Sequence, residues 1–230
     1  MENRWMQRDA SEARSAFMQK VYAWMFSALL ITAGVAYLSA SSSTIIGLVY
    51  SSGFGVFPLI IAELALVYYI SSRIDRLSSD RARLLFFIYA ALNGVTLGII
   101  FLVYTSGSIY NTFLITAAMF GLMSLYGYMT KKDLSSIGNI AFMALIGVII
   151  ASVVNMFLNS EALYWIISYV GVILFTGLTA YDTQKIKHMY EVTAHDPEGV
   201  NKVAILGALT LYLDFINLFL YLLRFFGRRD

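Results

Sequence analysis

The chain has 230 residues, of which 59% are apolar and only 13% are charged, about half of the roughly 25% typical of soluble domains. Its mean hydropathy of +0.72 and net charge of +2 exclude an ordinary soluble domain and a nucleic-acid-binding domain, which needs a basic surface. With no cysteine and two histidines, disulfides, zinc–thiolate sites and histidine-rich metal centres are excluded as well. We therefore expect an all-α integral membrane protein without a cofactor.

Seven apolar runs are long enough to cross a bilayer, since about 20 helical residues span its hydrocarbon core. In chain order the predicted spans are residues 21–40, 55–72, 84–104, 110–130, 137–158, 162–183 and 203–226. Residues 1–20 form an N-terminal tail, and residues 21–230 form one seven-helix membrane domain. Residues 45–50 are apolar but too short to cross, which indicates an interfacial segment or a packed loop. The longest predicted loop runs from His188 to Lys202.

Lysine and arginine collect in alternate connections of the predicted bundle. Four precede helix 1, four lie between helices 2 and 3, two between helices 4 and 5, three between helices 6 and 7, and none in the other connections. Because positively charged connections stay in the cytoplasm, we expect a cytoplasmic N-terminus. A seventh crossing then leaves Arg224, Arg228 and Arg229 outside, so a re-entrant final hairpin remains an alternative.

Small residues recur at a spacing of four on two of the predicted helices. Gly94 and Gly98 lie on helix 3, and Gly147 and Ala151 lie on helix 5. This spacing places them on one face, where neighbouring backbones can approach closely. We expect ordinary helix packing at both places.

Four ionisable residues lie inside predicted spans, where a charge costs at least about 2.5 to 3.5 kcal/mol. Glu63 is in helix 2, Asp182 is toward the cytoplasmic end of helix 6, and Asp214 and Arg224 are in helix 7. Each carboxyl is therefore either a functional group or a neutral, hydrogen-bonded structural acid.

Helix 7 carries its polar residues at spacings of three and four, along one helical face. The members of this stripe are Gly207, Thr210, Asp214, Asn217, Tyr221 and Arg224. A polar stripe in a membrane faces the bundle interior or water, so we predict that helix 7 is central and lines a pathway. Thr210 and Asn217 join Glu63 as predicted pathway residues.

Asp182 is the expected partner of Asp214, because helix 6 directly precedes helix 7. Two carboxyls in a poorly hydrated site would share a proton and titrate as a coupled pair. The predicted spans put the two at different depths, so pairing requires helix 7 to begin above the lipid or helix 6 to continue beyond Lys187.

Several segments of the chain resemble the Bax-inhibitor family of transmembrane Bax-inhibitor-motif proteins, most closely its bacterial inner-membrane branch. They are LTAYDTQKIK at 178–187, ALTLYLDFINLF at 208–219, GLMSLYGY at 121–128 and KKDLS at 131–135. The resemblance implies seven helices with the seventh central, and a pH-dependent calcium leak in which Asp182 and Asp214 hydrogen-bond to each other.

The resemblance also assigns residues outside the aspartate pair. Glu63 and Arg224 match family positions, whereas the gating arginine of the family falls on Ile74, so Arg73 or Arg76 has to substitute for it. Calcium is a hard cation that prefers oxygen ligands, and transient calcium ligation by Glu63, Asp182 and Asp214 is consistent with that chemistry. Sodium or protons would accept the same oxygens.

We therefore expect a pH-sensitive calcium leak gated by the aspartate pair, with calcium as the permeant ion. The expected partners are the lipid bilayer, calcium ions, protons and other membrane proteins. An alternative function is regulation or scaffolding of membrane proteins, in stress survival or quality control. An intramembrane aspartyl protease is a remote alternative, because Leu211-Tyr212-Leu213 precedes Asp214 where such enzymes carry Gly-x-Gly. We expect no enzymatic activity.

Overall fold

The computed structural model describes residues 2–51 and 55–228, with side chains from residue 11 onward, and every regular element in this part is a helix. Seven long helices follow one another: α1 Glu2–Ser41, α2 Val56–Arg73, α3 Ser79–Leu97, α4 Ser106–Met129, α5 Ser135–Leu158, α6 Glu161–Thr193 and α7 Pro197–Phe226. Each belongs to a stretch that is long and apolar enough to cross a membrane, and for α3 this stretch continues through the short helix Ile100–Val103. The predicted all-α, seven-helix membrane protein is thereby confirmed.

The connection between α6 and α7 is much shorter than predicted. The prediction of a loop from His188 to Lys202 is wrong, because α6 continues to Thr193 and α7 begins at Pro197. A helix does not have to end at the edge of the lipid, because its backbone hydrogen bonds also form in water when polar side chains cover its surface. α1 shows the same behaviour, because it begins at Glu2 and residues 2–20 continue the predicted span 21–40 as helix.

The short apolar segment after α1 forms a packed turn. Ser43–Ile45 is one helical turn and Ile46–Tyr50 is a single π-helical turn. The Tyr50 hydroxyl donates a hydrogen bond to the Val95 carbonyl of α3. Of the two alternatives for this segment, the structure shows packing against a helix.

α7 is the most deeply buried of the seven helices. In its apolar window 72% of the residues are buried, against 11% to 39% in the other six. Its fully buried side chains include Leu211 and Leu218, while Thr210 and Asn217 on the polar stripe are half-buried. The predicted interior position of this helix agrees with its burial.

The helices form two compact units, and α6 and α7 contribute to both. The first unit contains the described residues up to Val103 together with Ile186–Tyr212. Within it, α1 and α2 both pack against α3. Phe86 of α3 meets Tyr212 edge to face, with ring centroids 5.8 Å apart. Aromatic contacts of this kind add about 0.5 to 1.5 kcal/mol beyond area burial.

Polar contacts close the first unit where α6 and α7 join. Arg14 of α1 forms a salt bridge with Glu191, with N and O 3.0 Å apart. The Glu198 carboxylate accepts hydrogen bonds from the backbone N–H and the hydroxyl of Ser79, at 2.7 and 3.0 Å. A carboxylate at this position is favourable because the first N–H groups of α3 have no partner within the helix.

The second unit contains Tyr104–Lys185 and the described residues from Leu213 onward. Gln184 of α6 binds the turn between α4 and α5: its amide oxygen accepts from the Leu134 N–H at 2.9 Å, and its amide nitrogen donates to the Lys132 carbonyl at 2.8 Å. The Ser124 and Thr183 hydroxyls lie 2.9 Å apart in a buried contact between α4 and α6. These buried side chains all belong to the segments that carry the family resemblance.

Close helix packing occurs at one of the two predicted places. A Cβ atom at Gly94 would lie 2.8 Å from the Thr32 carbonyl oxygen, and one at Gly98 would collide with the Tyr50 hydroxyl, which confirms the prediction for α3. At Gly147 a Cβ atom would meet nothing within 4 Å, so the prediction for α5 is wrong. Spacing identifies a face, but it does not show whether another helix covers that face.

We expect Gly127→Ala to destabilise the protein by about 1 to 3 kcal/mol, the usual cost of overpacking a tight contact. A Cβ atom there would collide with the Ala180 carbonyl oxygen and lie 2.8 Å from its carbonyl carbon, and backbone atoms cannot move aside as a flexible side chain can. Thermal unfolding in detergent measures the effect. Gly121→Ala on the same helix is the matched control: its Cβ atom meets nothing within 4 Å, so better helix propensity should leave stability equal or higher. Equal losses for both variants would contradict the packing argument.

The unbroken helix α7 bears on membrane topology. A re-entrant hairpin would need a break, whereas Pro197–Phe226 is continuous. We therefore expect the two termini on opposite sides of the membrane, and a reporter fused after Asp230 should give the opposite localisation to one fused at the N-terminus. Cytoplasmic signals from both fusions would contradict seven crossings.

Candidate functional site

The two aspartates of the predicted pair meet in the second unit. Asp182 of α6 is 7% exposed and Asp214 of α7 is 4% exposed. Their carboxyl groups are close enough to interact with each other. Two carboxyls this close in a buried site are favoured when they share one proton, because two adjacent negative charges repel each other.

The surroundings of the pair offer little else to satisfy it. Within the described residues no N–H or hydroxyl group donates to Asp214 Oδ2, although this atom is buried. Lys185, one turn further along α6, is the charged group that acts electrostatically on Asp182, and its ammonium lies 5.8 Å from the Tyr181 ring. Asp214 Oδ2 is therefore a buried acceptor without a hydrogen-bond donor among the described residues.

The register between α6 and α7 brings the two carboxyls together. In the second unit Tyr221 packs on Gly171, and Arg224 donates to the Ser168 hydroxyl at 3.3 Å, so the helices run antiparallel. Counting along both helices from these contacts places Asp182 within one helical turn of Asp214. One of the two alternative conditions that the sequence set for pairing is met, because α6 continues past Lys187 to Thr193.

Glu63 lies in the first unit, where it is buried and fully hydrogen-bonded. Its Oε2 accepts from the Asn93 amide at 3.1 Å, and its Oε1 accepts from the Thr96 hydroxyl. The Tyr212 hydroxyl donates to the side-chain amide oxygen of Asn93 at 3.0 Å, and it lies 2.7 Å from the Thr32 hydroxyl. A buried polar network thus connects α2, α3, α7 and α1.

Sequence reasoning did not identify the partners of Glu63. Asn93 and Thr96 lie one turn apart within an apolar span, and a buried carboxyl needs donors of this kind. Their polarity was the available signal, but nothing in the spacing showed which helix would face Glu63. Nothing in the sequence indicated that Tyr212 belongs to this network, because an aromatic residue in an apolar span normally packs in the hydrophobic core.

The remaining predicted residues have local or exposed positions. Thr210 donates to the Leu206 carbonyl at 3.0 Å, and the Asn217 amide donates to the Leu213 carbonyl at 2.8 Å, both within α7. In these bonds the Thr210 hydroxyl oxygen and the Asn217 amide oxygen do not act as acceptors. Arg73, in the last turn of α2, and Arg76, just after it, are exposed and form no salt bridge with the described residues.

Arg224 is held on aromatic rings near the end of α7. Its guanidinium carbon lies 4.9 Å from the ring centroids of both Tyr164 and Tyr221. Cation–π contacts of this kind are worth about 0.5 to 2 kcal/mol each, depending on desolvation. No carboxylate of the described residues forms a salt bridge with it.

The carboxyls do not form a conventional metal site in the described residues. No group of three or more histidine, aspartate or glutamate side chains is arranged there to hold a metal ion. Glu63 belongs to the first unit, and Asp182 and Asp214 belong to the second. The chemistry that this arrangement offers is proton binding at the pair and a hydrogen-bonded carboxyl at Glu63.

Comparison with known proteins gives consistent matches over nearly the whole chain. The model of the family described as Inhibitor of apoptosis-promoting Bax1, Bax1-I, matches residues 14–230. The inner membrane protein YbhL of Escherichia coli is 55% identical over 214 residues, which cover 93% of this chain and 92% of the relative. A Borreliella burgdorferi protein is 48% identical over 94% of this chain and 93% of its own length. A Streptococcus pyogenes membrane protein is 38% identical, and the match covers 93% of both chains.

Proposed function

The chain belongs to the Bax1-I family, inhibitor of apoptosis-promoting Bax1, and on this basis we propose that it is a pH-sensitive calcium leak of the inner membrane. It is a multi-pass membrane protein, and its similarity to an inner membrane protein supports that location. From the distribution of lysine and arginine, we place the N-terminus in the cytoplasm.

The observation that carries this proposal is the buried aspartate pair, to which we assign one shared proton. Protonated, the pair holds one negative charge and a hydrogen bond between α6 and α7. When the proton leaves, two like charges remain in contact, and like charges in a poorly hydrated site repel strongly. Separation of the helices, or arrival of a cation, relieves that repulsion. Loss of one proton is in this way coupled to a rearrangement that opens or closes a route.

Calcium fits the donor atoms that the two units supply. It prefers carboxylate, carbonyl and hydroxyl oxygens, and it tolerates irregular coordination. Glu63 and Thr210 in the first unit and Asn217 in the second are the residues that we assign to contacts with the passing ion. Because these oxygens are not gathered into one cage, a leak with weak, transient contacts suits them better than a storage site. We assign the aspartates to proton binding and not to catalysis.

Calcium flux into liposomes tests the proposed function. Purified protein is reconstituted into vesicles that contain a calcium indicator and no ATP, and external calcium is then added. We expect the indicator signal to rise faster than in protein-free vesicles, since a leak needs only the gradient. Flux no higher than in protein-free vesicles would overturn the leak and leave regulation of other membrane proteins as the function to test.

A further inference from the structure

A cavity of about 490 Å³ lies in the second unit, where α5 ends, α6 begins and α7 ends. Small-molecule sites generally measure about 300 to 1,000 Å³, so this cavity has the size of a binding site. Its walls combine charged, amide and aromatic side chains: Arg224, Glu161, Asn155, Asn159, Tyr164 and Trp165. The proposed leak assigns a role to none of these side chains.

The two charged side chains of this cavity do not neutralise each other. Glu161 and Arg224 line the same space, yet they form no salt bridge. One of the five N–H donors of the guanidinium contacts the Ser168 hydroxyl, and the others contact no hydrogen-bond acceptor of the described residues. No group of the described residues donates a hydrogen bond to the Glu161 side chain. The cavity thus presents a cation and an anion that are separated by open space.

The other side chains that line the cavity can also contact a ligand that carries both a negative and a positive group. The Asn155 amide oxygen is occupied by the Ser160 N–H at 2.9 Å, which leaves its amide nitrogen as a donor to an anion. Trp165 lines the cavity with an indole ring, and an ammonium group binds favourably on an aromatic face. Tryptophan and tyrosine at the end of membrane helices are typical of the headgroup level of a bilayer.

We propose that this cavity binds a zwitterion that joins a phosphate to an ammonium group, with the phosphate on Arg224 and the ammonium on Glu161. Arginine presents a planar fork of donors that matches phosphate, and the carboxylate takes the opposite charge. A headgroup of ethanolamine phospholipid and a free phosphoethanolamine share this chemistry. The proposal is independent of the calcium leak, because it concerns other residues and a different ligand.

Fluorescence of Trp165 reports binding directly. The chain has three tryptophans, and the substitutions Trp5→Phe and Trp24→Phe leave Trp165 as the sole reporter. This protein, in phosphatidylglycerol nanodiscs, is titrated with phosphoethanolamine, inorganic phosphate and ethanolamine. We expect a saturable change with phosphoethanolamine, at an affinity at least tenfold above those of the other two. No saturable change, or equal affinities for phosphoethanolamine and phosphate, would overturn the proposal.

Two variants separate the roles of the charges. Arg224→Gln should weaken phosphoethanolamine and phosphate alike by tenfold or more, whereas Glu161→Gln should weaken phosphoethanolamine alone. Arg228→Gln, an exposed arginine close by in sequence, should leave both affinities within twofold. Because Glu161 is exposed, Glu161→Gln tests the proposal even where Arg224→Gln lowers the yield of folded protein. An equal effect of Glu161→Gln on both ligands would contradict the assigned roles.

Adding phosphatidylethanolamine to the nanodiscs distinguishes the two sources of the ligand. If the cavity takes the lipid headgroup, the lipid competes, and the apparent affinity for free phosphoethanolamine falls. If it takes the free zwitterion, that affinity stays the same.

Discussion

Asp214→Asn should abolish most of the pH dependence of calcium flux, while the wild-type protein should change its flux several-fold between about pH 5 and 8. The asparagine amide keeps a hydrogen bond to Asp182 at nearly the same volume, but it cannot share a proton with a second carboxyl. The coupled step from one charge to two is therefore lost. Flux into reconstituted vesicles at a series of external pH values measures the response.

Two controls distinguish the pair from other titrating groups. Asp75→Asn removes an exposed carboxyl outside the pair and should leave the pH profile unchanged. Both histidines are exposed, and they are the competing explanation. If Asp214→Asn kept the full response while His188→Gln with His195→Gln removed it, the aspartate pair would not be the sensor.

Glu63→Gln should lower calcium flux about tenfold or more, with little change in melting temperature. Tenfold corresponds to about 1.4 kcal/mol, well below the attraction of about 4 kcal/mol between unit charges 4 Å apart near a protein surface. The network can accept the amide, because the Thr96 hydroxyl can rotate to accept a hydrogen bond from it while the glutamine oxygen faces Asn93. Charge is thereby removed without leaving a buried polar atom unpaired.

Tyr212→Phe is the matched control for this prediction. It removes a hydroxyl from the same network, at Asn93, but leaves the Glu63 charge and both of its donors in place. We expect a loss of stability on the order of 1 to 3 kcal/mol, from the unpaired Asn93 oxygen, and flux per folded protein close to that of wild type. If Glu63→Gln lost folded protein and flux in equal proportion, Glu63 would be a structural acid.

The sequence by itself determined the number of helices and the ionisable residues inside the membrane. Both follow from local free energies: about 20 apolar residues must cross as a helix, and a charge within them is costly enough to need a role. The partnership of Asp182 and Asp214 was also predictable, because their helices are consecutive and one face of α7 carries the polar residues. The family resemblance extends over nearly the whole chain, so family membership could also be predicted from the sequence.

Only the tertiary structure decided what each of these residues touches. The donors to Glu63, Asn93 and Thr96, come from a different helix, and hydropathy does not specify the rotation of one helix against another. The same reason explains why Gly94 is tightly packed while Gly147 meets open space. Local periodicity identifies the face of a helix, but a covering neighbour depends on contacts between residues far apart in the chain. A contact between distant parts of the chain also accompanies the extension of α6 to Thr193, since Glu191 forms a salt bridge with Arg14 of α1.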